Sequence, residues 1–170
     1  MTQDFIEQGS YKAIDNIYKT ILNAMIAVNV ASLVIFAIAS SPIILACLLF
    51  AAVGVALREK FDIKQRVLIS IVFHLNIILL VVAGVISIGW NSGIWISLVG
   101  VIFINYFLAF DSKSLTYIVA AFELALLILL YFIYKDILPT TPSVTQIATT
   151  IGSIVFAFYI VLKLSIFADV

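Results

Sequence analysis

Charge is scarce in this chain: 11% of its 170 residues are Asp, Glu, Lys or Arg and 65% are hydrophobic, against about 25% and roughly 45–50% in an ordinary soluble domain. A water-soluble fold cannot enclose so much apolar surface, which implies a bilayer as solvent. Nine basic residues balance nine acidic ones and no run of like charges occurs, so nothing points to nucleic acid as a partner.

Residues that carry chemistry are few as well. The single cysteine, Cys47, lies in an apolar segment, where it reads as a packing residue; an internal disulfide and a cysteine metal cluster are both excluded. One histidine, His74, leaves no His-x-x-x-His zinc spacing. There is also no aqueous carboxylate pair, nucleophile elbow or phosphate-binding glycine loop. The expectation is a protein that is not an enzyme and holds no cofactor or metal. Proline occurs three times, as Pro42, Pro139 and Pro142, each between apolar stretches. The midplane helix breaks of inverted-repeat transporters are therefore missing. No cleavable secretory signal, Asn-x-Ser/Thr acceptor or lipidation signature is present, so the N-terminal segment reads as retained.

What the chain does contain is a succession of apolar stretches long enough for a hydrocarbon core of about 30 Å. The fold class expected is all-α: a single transmembrane domain over 1–170, built as an integral membrane bundle of six transmembrane helices with an N-terminal interfacial helix. Over 1–19, Ile14, Ile17 and Tyr18 fall on one helical face and Lys12, Asp15 and Lys19 on the other, the pattern of an amphipathic helix lying flat before the chain turns inward. Spans are expected at about 20–39, 43–57, 67–88, 94–110, 115–134 and 147–167. The second is short, covering only about 22 Å at the helical rise. Ser40-Ser41-Pro42 supplies the first turn, Arg58 to Arg66 an aqueous charged loop, Gly89-Trp90-Asn91-Ser92-Gly93 a compact turn, Asp111 to Ser114 the next connection, and a segment with Pro139 and Pro142 the last.

Cytoplasmic flanks accumulate Lys and Arg. With both termini inside, the inner side holds Lys12, Lys19, Arg58, Lys60, Lys64, Arg66, Lys113 and Lys163, whereas the outer side holds Lys135 alone. Trp90, Trp95, Tyr131 and Tyr134 then form the outer aromatic belt. A bacterial inner membrane is the expected location.

Two ionisable residues lie deep in spans. Glu123 sits about nine residues into the fifth and His74 about eight residues into the third, both counted from the cytoplasmic side, so they share a depth and can pair. Such a pair serves either as an interhelical bond for assembly or as the floor of a ligand site or proton-sensitive switch. Asn29, Asn76 and Asn105 bring amides to the same half of the membrane, where they either tie helices together or contact a ligand. Asn76, two residues from His74, points elsewhere on its helix. Small residues four apart, Ala27 with Ala31, Ala52 with Ala56 and Ala148 with Gly152, read as places of close helix approach.

His74-Leu75-Asn76, the turn Gly89 to Gly93, and an aromatic fourth segment ending Ala109-Phe110-Asp111 resemble the six-helix membrane regions that precede cytoplasmic output domains in bacterial class III adenylate cyclases and in some diguanylate cyclases and histidine kinases. The resemblance implies a receptor-like membrane anchor, homodimeric or bound to a partner protein, whose last helix passes a displacement to an output domain. The chain ends at Asp169-Val170, so it reads either as the membrane region of a longer sensor or as a protein acting through a partner. The expected function is a membrane-embedded sensor or anchor that responds to a small apolar or amphipathic ligand around His74 and Glu123, with Asn29, Asn76 and Asn105. The alternative is a small transport component or substrate-binding subunit of a membrane complex.

Overall fold

From Lys12 onward the first helix alternates a wet and a dry face at helical spacing. Asp15 and Lys19 close an ion pair of 2.8 Å on the wet face, in the acid-before-base order that favours a helix, while Tyr18, Ile21, Leu22 and Met25 are buried on the other. No glycine or proline interrupts the transition. In the computed structural model, which describes residues 2–38, 43–105, 113–137 and 142–168, α1 accordingly runs unbroken over Thr2–Ile38. The expected boundary between an interfacial helix and a first span is absent, because nothing at residues 19 and 20 weakens the backbone ladder.

After α1 come α2 (Ile44–Glu59), α3 (Arg66–Ile88), α4 (Ile96–Ile104), α5 (Lys113–Tyr134) and α6 (Ser143–Ala168), with 3₁₀ turns at Ile63–Gln65 and Trp90–Ser92. No strand occurs among the described residues. Four helices are long and apolar enough to cross a membrane: Lys12–Ile38, Arg66–Ile88, Ser114–Tyr134 and Ser143–Ser165. This is a helical membrane protein. The other two helices are shorter: α2, with 16 residues, measures about 24 Å, and the described helical part of α4 has 9. The Ser40-Ser41-Pro42 turn, the Ala109-Phe110-Asp111 end of the fourth segment, Asp111 and Ser112, Pro139, and Asp169-Val170 lie outside the described residues.

The charged connection is more ordered than an aqueous loop. Arg58 and Glu59 complete α2, where a cation suits the helix C-terminus. The Asp62 carboxylate accepts from the Lys64 amide at 3.0 Å, and Phe61 stacks on Tyr18 at 6.1 Å. One apolar ring thus pins the link between α2 and α3 to α1. The turn after α3 is tighter still. Gly89 and Gly93 adopt φ of 102° and 65°, where a side chain is strained, and the Ser92 hydroxyl donates to the Gly89 carbonyl at 2.7 Å. Trp90 stacks on Trp95 at 5.2 Å and meets Tyr131 edge-on at 5.4 Å, so three of the four expected belt aromatics form one cluster.

At the centre stands α3, with buried residues along its whole length, Ile69 to Ile88. It contacts α1, α4 and α5, while α4 and α1 both pack against α6. A close crossing is Gly100 on α4 against Ala157 on α6, where an added Cβ would lie 2.9 Å from the Ala157 Cα. Gly93 faces Thr150, whose hydroxyl donates to the Ser92 carbonyl at 2.8 Å. These two contacts have the same sequence offset, so α4 and α6 run parallel and in register.

Candidate functional site

Among its described side chains, α5 has two that are fully withdrawn from the surface, Glu123 and Leu130. They are seven residues apart and therefore share a helix face. Leu130 supplies apolar contact; Glu123, at 0% exposure, supplies the polar one. Its Oε1 lies 2.6 Å from Nδ1 of His74 on α3, and its Oε2 accepts from Nδ2 of Asn105, at the end of α4, at 2.8 Å. One carboxyl group thereby joins three helices. A bare carboxylate facing hydrocarbon would be costly, and both of its oxygens are engaged.

The structure splits the candidate amides into two groups. Asn105 joins Glu123. Asn29 on α1 and Asn76 on α3, both at 0% exposure, form a reciprocal amide pair: Asn29 Nδ2 donates to Asn76 Oδ1 at 2.9 Å, and Asn76 Nδ2 returns a bond to Asn29 Oδ1 at 3.1 Å. Asn29 also donates to the Met25 carbonyl at 2.7 Å. With two donors and one acceptor so used, this pair fastens α1 to α3. His74 and Asn76 consequently serve opposite sides of α3, one facing α5 and the other α1.

No family model, curated protein or solved structure matches this chain. Its own geometry therefore carries the functional argument.

Two clefts lie in the bundle. One of about 300 Å³ lies between α3 and α5 and reaches His74, its walls made by Ile71, Leu75, Ile78, Ile118, Val119 and Phe122. The other is larger, about 550 Å³, and lies among α1, α3, α4 and α6. None of His74, Glu123, Asn29, Asn76 and Asn105 lines it. Its walls include Ser32, Ser97, Thr149 and Ser153, which the sequence reading had not singled out. Serine in an apolar helix is too common to be a signal alone.

Two of the expected small-residue spacings, Ala27 with Ala31 and Ala148 with Gly152, border open space. Ala27, Ala31 and Gly152 line the larger cleft, and an added Cβ at Gly152 would meet nothing within 4 Å. These residues leave space between helices instead of closing it. A close approach between α4 and α6 occurs at Gly100 and Ala157, which are not among the small pairs expected. Among the described residues no group of three or more His, Cys, Asp or Glu comes together to hold a metal ion.

Proposed function

We propose that this protein is a membrane-embedded sensor or anchor module in which the His74–Glu123–Asn105 network sets how α5 rests against α3 and α4. The observation that carries this reading is the burial of Glu123 on a helix whose described side chains are otherwise mostly exposed. A helix held by few contacts has a low cost of displacement, and its one buried carboxyl bonds to two other helices. The cleft beside His74 offers a way for a small apolar or amphipathic molecule to reach the network from the lipid. A molecule that binds one packing better than another shifts the balance between them. Displacement of Asn105 bears on α4, and α4 bears on α6 through Gly100 and Ala157, which gives a route to a cytoplasmic output domain or partner.

The resemblance to the membrane regions of bacterial class III adenylate cyclases supports the same reading. Its further parts are six spans, counting α2 and α4, both termini in the cytoplasm and residence in a bacterial inner membrane, supported by the distribution of Lys and Arg. The test is the distance between spin labels on α3 and α5 in nanodiscs. The reading requires Glu123→Leu and His74→Ala each to broaden or shift that distance; an unchanged distribution in both rejects it. A second reading, a substrate-binding subunit of a transport complex, is favoured by the larger cleft among α1, α3, α4 and α6. Solute uptake by vesicles containing the chain and its copurifying partners would support that class.

A further inference from the structure

The larger cleft has an unusual hydroxyl lining. Several hydroxyls of the bundle bond to their own helix: Ser70 donates to the Arg66 carbonyl, Thr149, itself on the cleft wall, to Thr145, Thr150 to Gln146 as well as to Ser92, and Ser165 to Val161. That bond to the preceding turn is the ordinary fate of Ser and Thr in a membrane helix. Ser32 on α1, Ser97 on α4 and Ser153 on α6 line the cleft and are 5%, 5% and 6% exposed. Among the described residues, none of the three side chains makes a hydrogen bond to the protein. A hydroxyl that opens onto a mostly apolar cleft is free to bond an occupant's polar group, and here three different helices each contribute one.

The parallel register of α4 and α6, fixed by Gly93 against Thr150 and Gly100 against Ala157, places Ser97 at the level of Ser153. The hydroxyls of Ser97 and Ser153 therefore belong to one part of the cleft, which Ser32 of α1 also lines. Asn23, Thr149 and Tyr159 are the other polar residues of a mostly apolar wall, and no Asp, Glu, Lys, Arg or His lines it. A charged headgroup would find no counter-ion there. A plain acyl chain would leave the hydroxyls unmatched. The volume of about 550 Å³ falls within the roughly 300–1,000 Å³ common for small-molecule sites.

We infer that this cleft binds an uncharged amphiphile of the long-chain alcohol type, its apolar body against α1, α3 and α6 and its single hydroxyl bonded among Ser32, Ser97 and Ser153. The site is distinct from the His74–Glu123–Asn105 network, and its occupancy does not depend on the sensor reading.

The experiment uses the full chain in phosphatidylcholine nanodiscs and a photoactivatable hexadecanol, with photoactivatable hexadecane as the probe lacking a hydroxyl. Hexadecanol is expected to label α1, α4 and α6 saturably, with competition by unlabelled hexadecanol and at least about tenfold less competition by hexadecane. Gly152→Phe, which projects into open space, should abolish saturable labelling. The double variant Ser97→Ala, Ser153→Ala keeps the shape of the cleft and should lower labelling by the alcohol while leaving that by the hydrocarbon unchanged. Equal, unsaturable labelling by both probes, or labelling by the alcohol that survives both variants, would overturn the assignment. Retained thermal stability of the serine variant separates loss of the site from loss of the fold.

Discussion

The imidazole of His74 and the carboxyl of Glu123 meet at 2.6 Å, although α3 and α5 have few other contacts with each other. This bond and the Asn105 bond to the same carboxyl therefore weigh heavily in where α5 sits. Replacing Glu123 by Leu should lower stability by about 1–2 kcal/mol in a detergent unfolding titration, the range for losing two interhelical hydrogen bonds within lipid. Glu123→Gln, which keeps a hydrogen-bonding head at the same length, should cost less. Equal losses for Leu and Gln would mean that packing, and not the polar network, holds α5.

Asn29 and Asn76 exchange two amide bonds across α1 and α3, a geometry suited to a double-mutant cycle. Asn29→Ala and Asn76→Ala should each destabilise, and the double variant should fall short of their sum by about 1 kcal/mol. Strict additivity would show that the pair contributes nothing as a pair.

Two glycines facing α6 or lying on it should respond in opposite directions. At Gly100 a methyl group would lie 2.7 Å from the Ala157 Cβ and 2.9 Å from its Cα, so Gly100→Ala should push α4 from α6 and cost about 1–3 kcal/mol. At Gly152 a methyl group meets nothing within 4 Å, so Gly152→Ala should be neutral or stabilise by up to about 1 kcal/mol through helix propensity. Thermal unfolding of both in one detergent decides the comparison.

Orientation is open to direct chemistry, because the native thiol of Cys47 is fully buried and should remain silent. Cysteines introduced at Lys60 and Lys135, both exposed, should react from opposite sides of sealed vesicles with a membrane-impermeant maleimide, Lys60→Cys from the cytoplasmic face. Reaction of both from one side would reject the six-span topology.

Much of the helical layout was legible in the residues, because hydropathy and helix stops are local properties. The third segment, expected at 67–88, is α3 over Arg66–Ile88, and the fifth, expected at 115–134, is α5 over Lys113–Tyr134. The fixed rise per residue also turns sequence position into depth, which brings His74 and Glu123 to one level before any packing is known. The interfacial segment expected over 1–19 and the span expected after it are continuous in α1, because charge marks where a helix meets water, whereas a break in its backbone needs glycine, proline or a competing hydrogen bond, and residues 12–38 contain none that interrupts α1.

By itself, then, the sequence determined a helical membrane protein and the extent of its third and fifth helices. The tertiary structure alone decided that Asn105 completes the Glu123 network, that Asn29 pairs with Asn76, and that Ser32, Ser97 and Ser153 border one cleft. The physical reason is the solvent. In water, a polar face shows which side of a helix points outward; in lipid, both sides are apolar, so the rotation of each helix is set by close packing and by a few hydrogen bonds between residues far apart in the chain.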